Sequence, residues 1–137
     1  MPTLTRWFVK TSLVYLVLSL ATGLLNTAQP IFGYSLPGIF PVYLHLLTIG
    51  WLTSLIFGVV FWMFPKYSKE QPRRSEKLGW AVYLSLNLGL ILRAISEPLN
   101  SLQPGSLWGW VLALAAILLW LSGVMFAINT WGRVKER

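Results

Sequence analysis

Cysteine and aspartate are both missing from this chain of 137 residues, and its four acidic residues are all glutamates. Without cysteine there are no disulfides, c-type haem attachment motifs, iron–sulfur clusters or thiol nucleophiles. So few carboxylates leave little for paired-carboxylate catalysis. Histidine occurs once, as His45. These absences exclude most of the side-chain chemistry on which soluble enzymes depend.

Charge is also scarce, whereas apolar sequence is abundant. Charged residues make up 11% of the chain, 55% of it is hydrophobic, and the mean hydropathy is +0.63. A bilayer core about 30 Å thick needs about 20 apolar helical residues. Four stretches are long enough, at 7–25, 42–64, 78–95 and 107–131. Because these runs do not alternate between polar and apolar residues, they predict helices rather than barrel strands. We therefore predict an all-α membrane protein, with residues 1–137 forming one four-helix transmembrane domain.

The basic residues indicate how the spans are oriented. With 11 lysines and arginines against four glutamates the net charge is +7, and almost all of the basic residues lie before or at the start of span one, between spans two and three, or after span four. The other two loops, 26–41 and 96–106, contain neither. Four spans place the three basic groups on one side, and basic loops favour the cytoplasm. The pattern predicts an N-in, C-in protein of a prokaryotic inner membrane, not a nucleic-acid-binding protein. The three groups are Arg6 and Lys10; Lys66, Lys69, Arg73, Arg74 and Lys77; Arg133, Lys135 and Arg137.

Small residues at helical spacing predict the faces through which the spans pack, because small side chains let helix backbones approach closely in lipid. Span two has such a stripe at Gly50, Ser54 and Gly58. Span four has a longer stripe, in which Trp120 stands among small residues; its members are Gly109, Ala113, Ala116, Trp120, Gly123 and Ala127.

Arg93 is an ionisable side chain inside span three. Such a group is costly in lipid and usually faces a partner or a cavity. Glu97 follows at the i+4 position, which is within reach of an ion pair on a helix. Two interpretations stay open: a structural Arg93–Glu97 pair near the membrane surface, or a cation that faces an anionic ligand group.

His45 lies near the outer end of span two, at about the depth of Arg93. The helical face below it is mostly apolar and consists of Thr48, Ile49, Leu52, Ile56, Val59 and Met63. A single imidazole above such a wall suits haem b, since neutral imidazole is a common axial ligand and arginine pairs with propionates. This interpretation makes His45 the metal ligand, with Arg93 and Tyr43 as further cofactor-binding residues. The alternative is a histidine that hydrogen-bonds a loop carbonyl at the membrane edge.

Residues 45–65, HLLTIGWLTSLIFGVVFWMFP, resemble the second transmembrane helix of haem-copper oxidase subunit I, especially the C-type and nitric-oxide-reductase branch. The likeness includes His45, the Gly50–Trp51 pair, Gly58 and the terminal Pro65. It implies that His45 is an axial ligand of a low-spin haem. The family needs further histidines for its second axial position, its active-site haem and its copper, and this chain has none. Oxygen or nitric oxide reduction by this chain alone is therefore not predicted, and no catalytic residue is assigned.

The sequence thus predicts a small haem b membrane protein that transfers electrons or binds a gas or haem. With one histidine per chain, three arrangements remain open: a homodimer that shares haem between two copies of His45, a five-coordinate haem, or a sixth ligand from a loop. The alternative function is a non-catalytic accessory subunit of a larger respiratory or photosynthetic membrane complex. A transporter or channel is less favoured, because the spans contain few polar groups.

Overall fold

The computed structural model describes residues 1–105 and 107–134. Within these residues it contains four long helices and no strand. The helices are α1 (Thr3–Phe32), α2 (Ile39–Met63), α3 (Glu76–Leu102) and α4 (Leu107–Trp131). Each is long and apolar enough to cross a membrane. The predicted all-α, four-helix architecture is confirmed, and the chain is an integral multi-pass membrane protein.

The bundle consists of two helical hairpins, in which α1 packs along α2 and α3 packs along α4. The start of α1, the loop 64–75 and Arg133 meet at one end, which we call the basic end. At the opposite end Gly38 contacts Glu97. The predicted basic groups at Arg6, at 66–77 and at Arg133 therefore share one end, whereas Lys135 and Arg137 lie outside the described residues. Which side of the membrane this end faces stays a prediction.

Aromatic side chains join the helices near the basic end. The rings of Phe57 on α2 and Phe126 on α4 stack with their centroids 3.7 Å apart. Phe8 on α1 meets Tyr83 on α3 edge-on at 5.1 Å, and it also stacks on Phe61 of α2 at 5.9 Å. Offset and edge-on aromatic pairs contribute beyond their buried area. This cluster therefore fixes the mutual positions of all four helices.

Helix α2 is irregular in its middle, where residues 46–53 are π-helical. The π stretch starts directly after His45, and the hydroxyl of Thr53 donates to the carbonyl of Thr48, five residues earlier, at 2.8 Å. A π-helix turns less per residue than an α-helix, so side chains spaced four apart stay on one side of α2. The buried residues of α2 are accordingly Val42, Leu46, Gly50, Ser54 and Gly58, followed by Phe61 near the end of the helix. The packing stripe predicted in span two is confirmed.

The stripe predicted in span four is wrong. Ala113, Ala116, Trp120 and Ala127 are all exposed, and the buried face instead contains Ala115, Ser122 and Asn129. Polar contacts between helices determine which face of α4 is buried, because a hydroxyl or amide group in lipid needs a hydrogen-bond partner. The Ser122 hydroxyl donates to the carbonyl of Val82 at 3.0 Å, and the Asn129 amide donates to that of Ser75 at 3.1 Å.

Candidate functional site

The candidate site lies where the start of α2 meets the end of α3. Gly38 precedes α2 with a φ of +77°, and a Cβ placed there would lie 2.9 Å from the Glu97 carbonyl oxygen and from the Pro98 Cα. Only glycine combines a left-handed backbone with so close an approach. The contact fixes the beginning of α2 against α3. His45, two turns further along α2, then faces the Glu97 side chain.

The hydrogen bonding of His45 determines which ring nitrogen carries the proton. Its Nδ1 lies 2.7 Å from the carbonyl oxygen of Pro41 and 3.6 Å from Oε2 of Glu97. Because a carbonyl oxygen only accepts, Nδ1 must be the donor, and Nε2 of the neutral ring is left as an acceptor. Nε2 has no hydrogen-bond partner among the described residues, and the side chain is 26% exposed. A histidine that ligates metal through Nε2 has the same Nδ1 pattern.

The geometry of His45 bears on the alternative interpretation, in which it hydrogen-bonds a carbonyl at the membrane edge. The hydrogen bond to a backbone carbonyl that the alternative interpretation expected is present, although its acceptor, Pro41, belongs to the first turn of α2 and not to a loop. That bond uses only one of the two ring nitrogens. It leaves the other nitrogen available for a ligand.

Glu97 is held between two basic side chains. Its Oε1 accepts a hydrogen bond of 2.9 Å from Nε of Arg93, and its Oε2 faces His45 without a hydrogen-bond partner among the described residues. Glu97 is only 7% exposed. The structural Arg93–Glu97 pair, one of the two interpretations of Arg93, is thus present. This pair involves only the Nε–H of Arg93. The guanidinium has five N–H donors, so its two terminal nitrogens remain for another acceptor.

Tyr43 lies on a different side of α2 from His45. Its ring packs on α1, where a Cβ added to Gly23 would lie 2.9 Å from Tyr43 Cε2. Tyr43 and His45 are two positions apart, which corresponds to a rotation of about 200° around the helix axis. His45 faces α3 instead, so the structure brings His45, Arg93 and Glu97 together but does not bring Tyr43 to them.

The face of α2 below His45 is apolar and open. Most of the side chains that the sequence placed on this face are exposed, namely Thr48, Leu52, Ile56, Val59 and Met63. The buried stripe through Gly50 and Gly58 lies on the other side of the helix. The exposed face is available to lipid, to a flat ligand or to a second protein.

The side chains set a limit on what this site binds. Within residues 1–105 and 107–134, no group of three or more histidine, cysteine or acidic side chains comes together to hold a metal ion. The chain offers one imidazole nitrogen from His45, supported by the carboxylate of Glu97.

Comparison with known proteins adds no relative. No protein-family profile, curated protein or solved structure matches the chain. The likeness to haem-copper oxidase subunit I rests on residues 45–65 alone.

One buried basic side chain that the sequence did not single out is Arg133, at the basic end. It is 1% exposed, and it donates hydrogen bonds to the carbonyls of Phe61, Phe64 and Pro65 at 3.1, 2.7 and 3.0 Å. Burial, with a smaller contribution from repulsion by Arg73, lowers the pKa of the Arg133 guanidinium below its ordinary value. Sequence reasoning treated Arg133 only as part of a basic group. Its partners lie in a distant segment, so no local pattern marks it.

Proposed function

We propose that this protein binds haem b through Nε2 of His45 and acts in electron transfer or in the binding of a gas or of haem itself. The observation that carries the proposal is the Nδ1 hydrogen bond of His45 to the Pro41 carbonyl, which leaves Nε2 available near one end of the bundle. We further propose that the bundle sits in a prokaryotic inner membrane with its basic end in the cytoplasm. That orientation places His45 near the outer surface.

The surrounding residues fit one axial position of a haem. Hydrogen bonding at Nδ1 orients a ligating imidazole and increases its basicity, and both the Pro41 carbonyl and the Glu97 carboxylate lie on that side of the His45 ring. The unused guanidinium nitrogens of Arg93 suit a propionate. The exposed apolar face of α2 provides contact for a porphyrin. When bound, haem supplies an iron that exchanges one electron, with a potential that the axial ligand and its hydrogen bonds tune.

His45 is the only histidine in the chain, so a second histidine ligand to the iron would have to come from another copy. We propose a homodimer in which one haem would be held by His45 of each copy. A twofold interface repeats every contact, so it needs no additional sequence feature. The open apolar face of α2 is the surface that this arrangement would cover.

Absorption spectroscopy tests haem binding directly. The protein is purified in mild detergent with haem supplied, and reduced-minus-oxidised spectra are recorded for wild type, His45→Gly and Tyr43→Phe. Wild type should give haem b bands, which His45→Gly should lose and then recover when imidazole is added. Tyr43→Phe is the matched control, because the Tyr43 ring packs on α1 and should not affect the bands.

Recovery by imidazole separates loss of a ligand from loss of the fold, which circular dichroism checks independently. Absence of haem bands in wild type, or full retention of them in His45→Gly, would refute the proposal. Haem content tests the dimer separately. One haem per two chains supports a shared haem, whereas one haem per chain contradicts it.

Helix α4 supports the second candidate function, an accessory subunit of a larger membrane complex. Trp120 lies near the middle of α4 and is 67% exposed. Tryptophan prefers the membrane–water interface, and its indole N–H needs a partner when it is away from water. A neighbouring membrane protein would provide one. Copurification from native membranes at fixed stoichiometry, without a chromophore and dependent on Trp120, would favour this function over haem binding.

A further inference from the structure

A cavity of about 250 Å³ lies at the basic end of the bundle, between the first turns of α1 and α3. It has room for several water molecules and so for a small polar group. Its polar lining comes from Thr3, Thr5, Arg6, Arg73, Ser75 and Glu76. None of these residues belongs to the site around His45.

Two helix N-termini meet at this cavity. The first hydrogen bond of α1 runs from the Arg6 N–H to the Pro2 carbonyl, and Pro2 provides no side-chain cap. The N–H groups of residues 3–5 therefore have no acceptor within the helix. At α3 the Ser75 hydroxyl accepts only from the Leu78 N–H, at 3.1 Å. Uncapped N–H groups and the positive end of the helix dipole both attract an anion.

Thr5 gives a second, independent indication of a ligand. It lines the cavity, it is 1% exposed, and its Oγ1 has no hydrogen-bond partner among the described residues. Buried hydroxyls are nearly always paired, so an unpaired one calls for a specific explanation. An acceptor atom inside the cavity would provide the missing partner.

The charge around the cavity favours an anion. The Arg6 side chain has no carboxylate partner among the described residues and makes only a 3.4 Å contact with the hydroxyl of Thr3. Among the described residues, Glu76 is the one acidic side chain in the lining. It pairs with Arg73 at 2.8 Å, and its side chain is 69% exposed, so solvent screens it.

We propose that this cavity binds a phosphate group, either the headgroup of an anionic phospholipid or free inorganic phosphate. Its oxygens would accept from the uncapped N–H groups of α1, from the Thr5 hydroxyl and from the guanidinium of Arg6. Charge-assisted bonds from a planar guanidinium and from helix N-termini are the usual means of holding phosphate. Because the cavity opens at the basic end, a lipid phosphate would reach it at headgroup depth.

Thermal unfolding in detergent distinguishes the two sources. The full chain is freed of lipid and heated with inorganic phosphate or with chloride at equal ionic strength, and separately in micelles that contain phosphatidylglycerol or phosphatidylcholine. The variants are Arg6→Gln and Thr5→Val. The controls are Lys69→Gln, which removes the same charge from an exposed loop position, and Thr11→Val, which removes a hydroxyl from the same helix outside the cavity.

We expect the Tm of wild type to rise with phosphate or with phosphatidylglycerol. Arg6→Gln and Thr5→Val should weaken the apparent affinity by about tenfold or more, whereas both controls should behave as wild type. Without ligand, Thr5→Val should be at least as stable as wild type, since it removes an unpaired hydroxyl, and this shows that the fold is intact. A rise with inorganic phosphate assigns free phosphate, and a rise with phosphatidylglycerol alone assigns the lipid. No rise with either, or an equal loss in Lys69→Gln, overturns the proposal.

Discussion

The guanidinium of Arg133 donates a hydrogen bond of 2.7 Å to the carbonyl oxygen of Phe64, across 69 positions of the sequence. Helix α2 ends at Met63, and the last carbonyls of a helix have no partners within it. Arg133 satisfies three carbonyls in this region, since it also binds those of Phe61 and Pro65. The segment after α4 is therefore tied to the end of α2.

Arg133→Met should lower the free energy of unfolding by about 2–4 kcal/mol, because three carbonyls lose their donor and one of them, that of Phe61, belongs to a buried residue. Arg133→Lys should be intermediate, since an ammonium group is a point donor without the planar fork. Chemical unfolding in detergent, followed by circular dichroism, measures both. Lys69→Met, at an exposed position, is the control and should change stability by less than about 0.5 kcal/mol. If Arg133→Met has the same free energy of unfolding as this control, the hydrogen bonds of Arg133 do not stabilise the end of α2.

Gly38→Ala and Gly33→Ala should lower the free energy of unfolding by different amounts, although both glycines have a positive φ, of +77° and +71° respectively. Left-handed backbone costs a non-glycine residue about 1–2 kcal/mol at either position. A Cβ at Gly38 also meets the backbone of Glu97 and Pro98 at 2.9 Å, whereas nothing lies within 4 Å of one at Gly33. We expect Gly38→Ala to be the more destabilising by a further 1–3 kcal/mol or so. Equal losses would mean that α2 is not anchored to α3 at this contact.

The transmembrane architecture was predictable because it depends on local properties. The apolar length of a span and the four-residue spacing of Gly50, Ser54 and Gly58 are visible in the sequence, and the π stretch keeps that spacing on one face. The buried face of α4 was not predictable in the same way. Small residues occur on several sides of α4. Which side is buried depends on the hydrogen bond of Ser122 to α3 and on that of Asn129 to Ser75, directly before α3.

The candidate site was predictable in part for the same reason. Arg93 and Glu97 are one turn apart on a single helix, so their pairing follows from the spacing. The approach of His45 to Glu97 joins two helices and depends on the Gly38 contact, which no sequence pattern indicates. Arg133 looked like a solvated basic residue because its partners lie at the end of another helix.

A double-mutant cycle on Arg93 and Glu97 measures how strongly the buried pair is coupled. Arg93→Met should cost about 3–5 kcal/mol, because it leaves the carboxylate of Glu97 buried without its cation. Adding Glu97→Gln to that variant should recover part of the loss, since a neutral amide is less costly to bury. Unfolding of the two single variants and the double variant gives a coupling energy, which we expect to be about 1–3 kcal/mol. Strict additivity of the two changes would contradict the buried pair.

Gly50→Ala and Gly123→Ala test which predicted packing stripe is real, because sequence spacing assigned both glycines to a helix interface. A Cβ at Gly50 would lie 2.8 Å from Tyr15 Cγ and 2.9 Å from Leu90 Cδ2, so overpacking should cost about 1–3 kcal/mol. Nothing lies within 4 Å of a Cβ at Gly123, so alanine there should be neutral or should stabilise α4 by up to about 1 kcal/mol. Thermal unfolding of the two variants in one detergent makes the comparison. A loss at Gly123 as large as that at Gly50 would show that α4 has a partner at this position that the single chain does not provide.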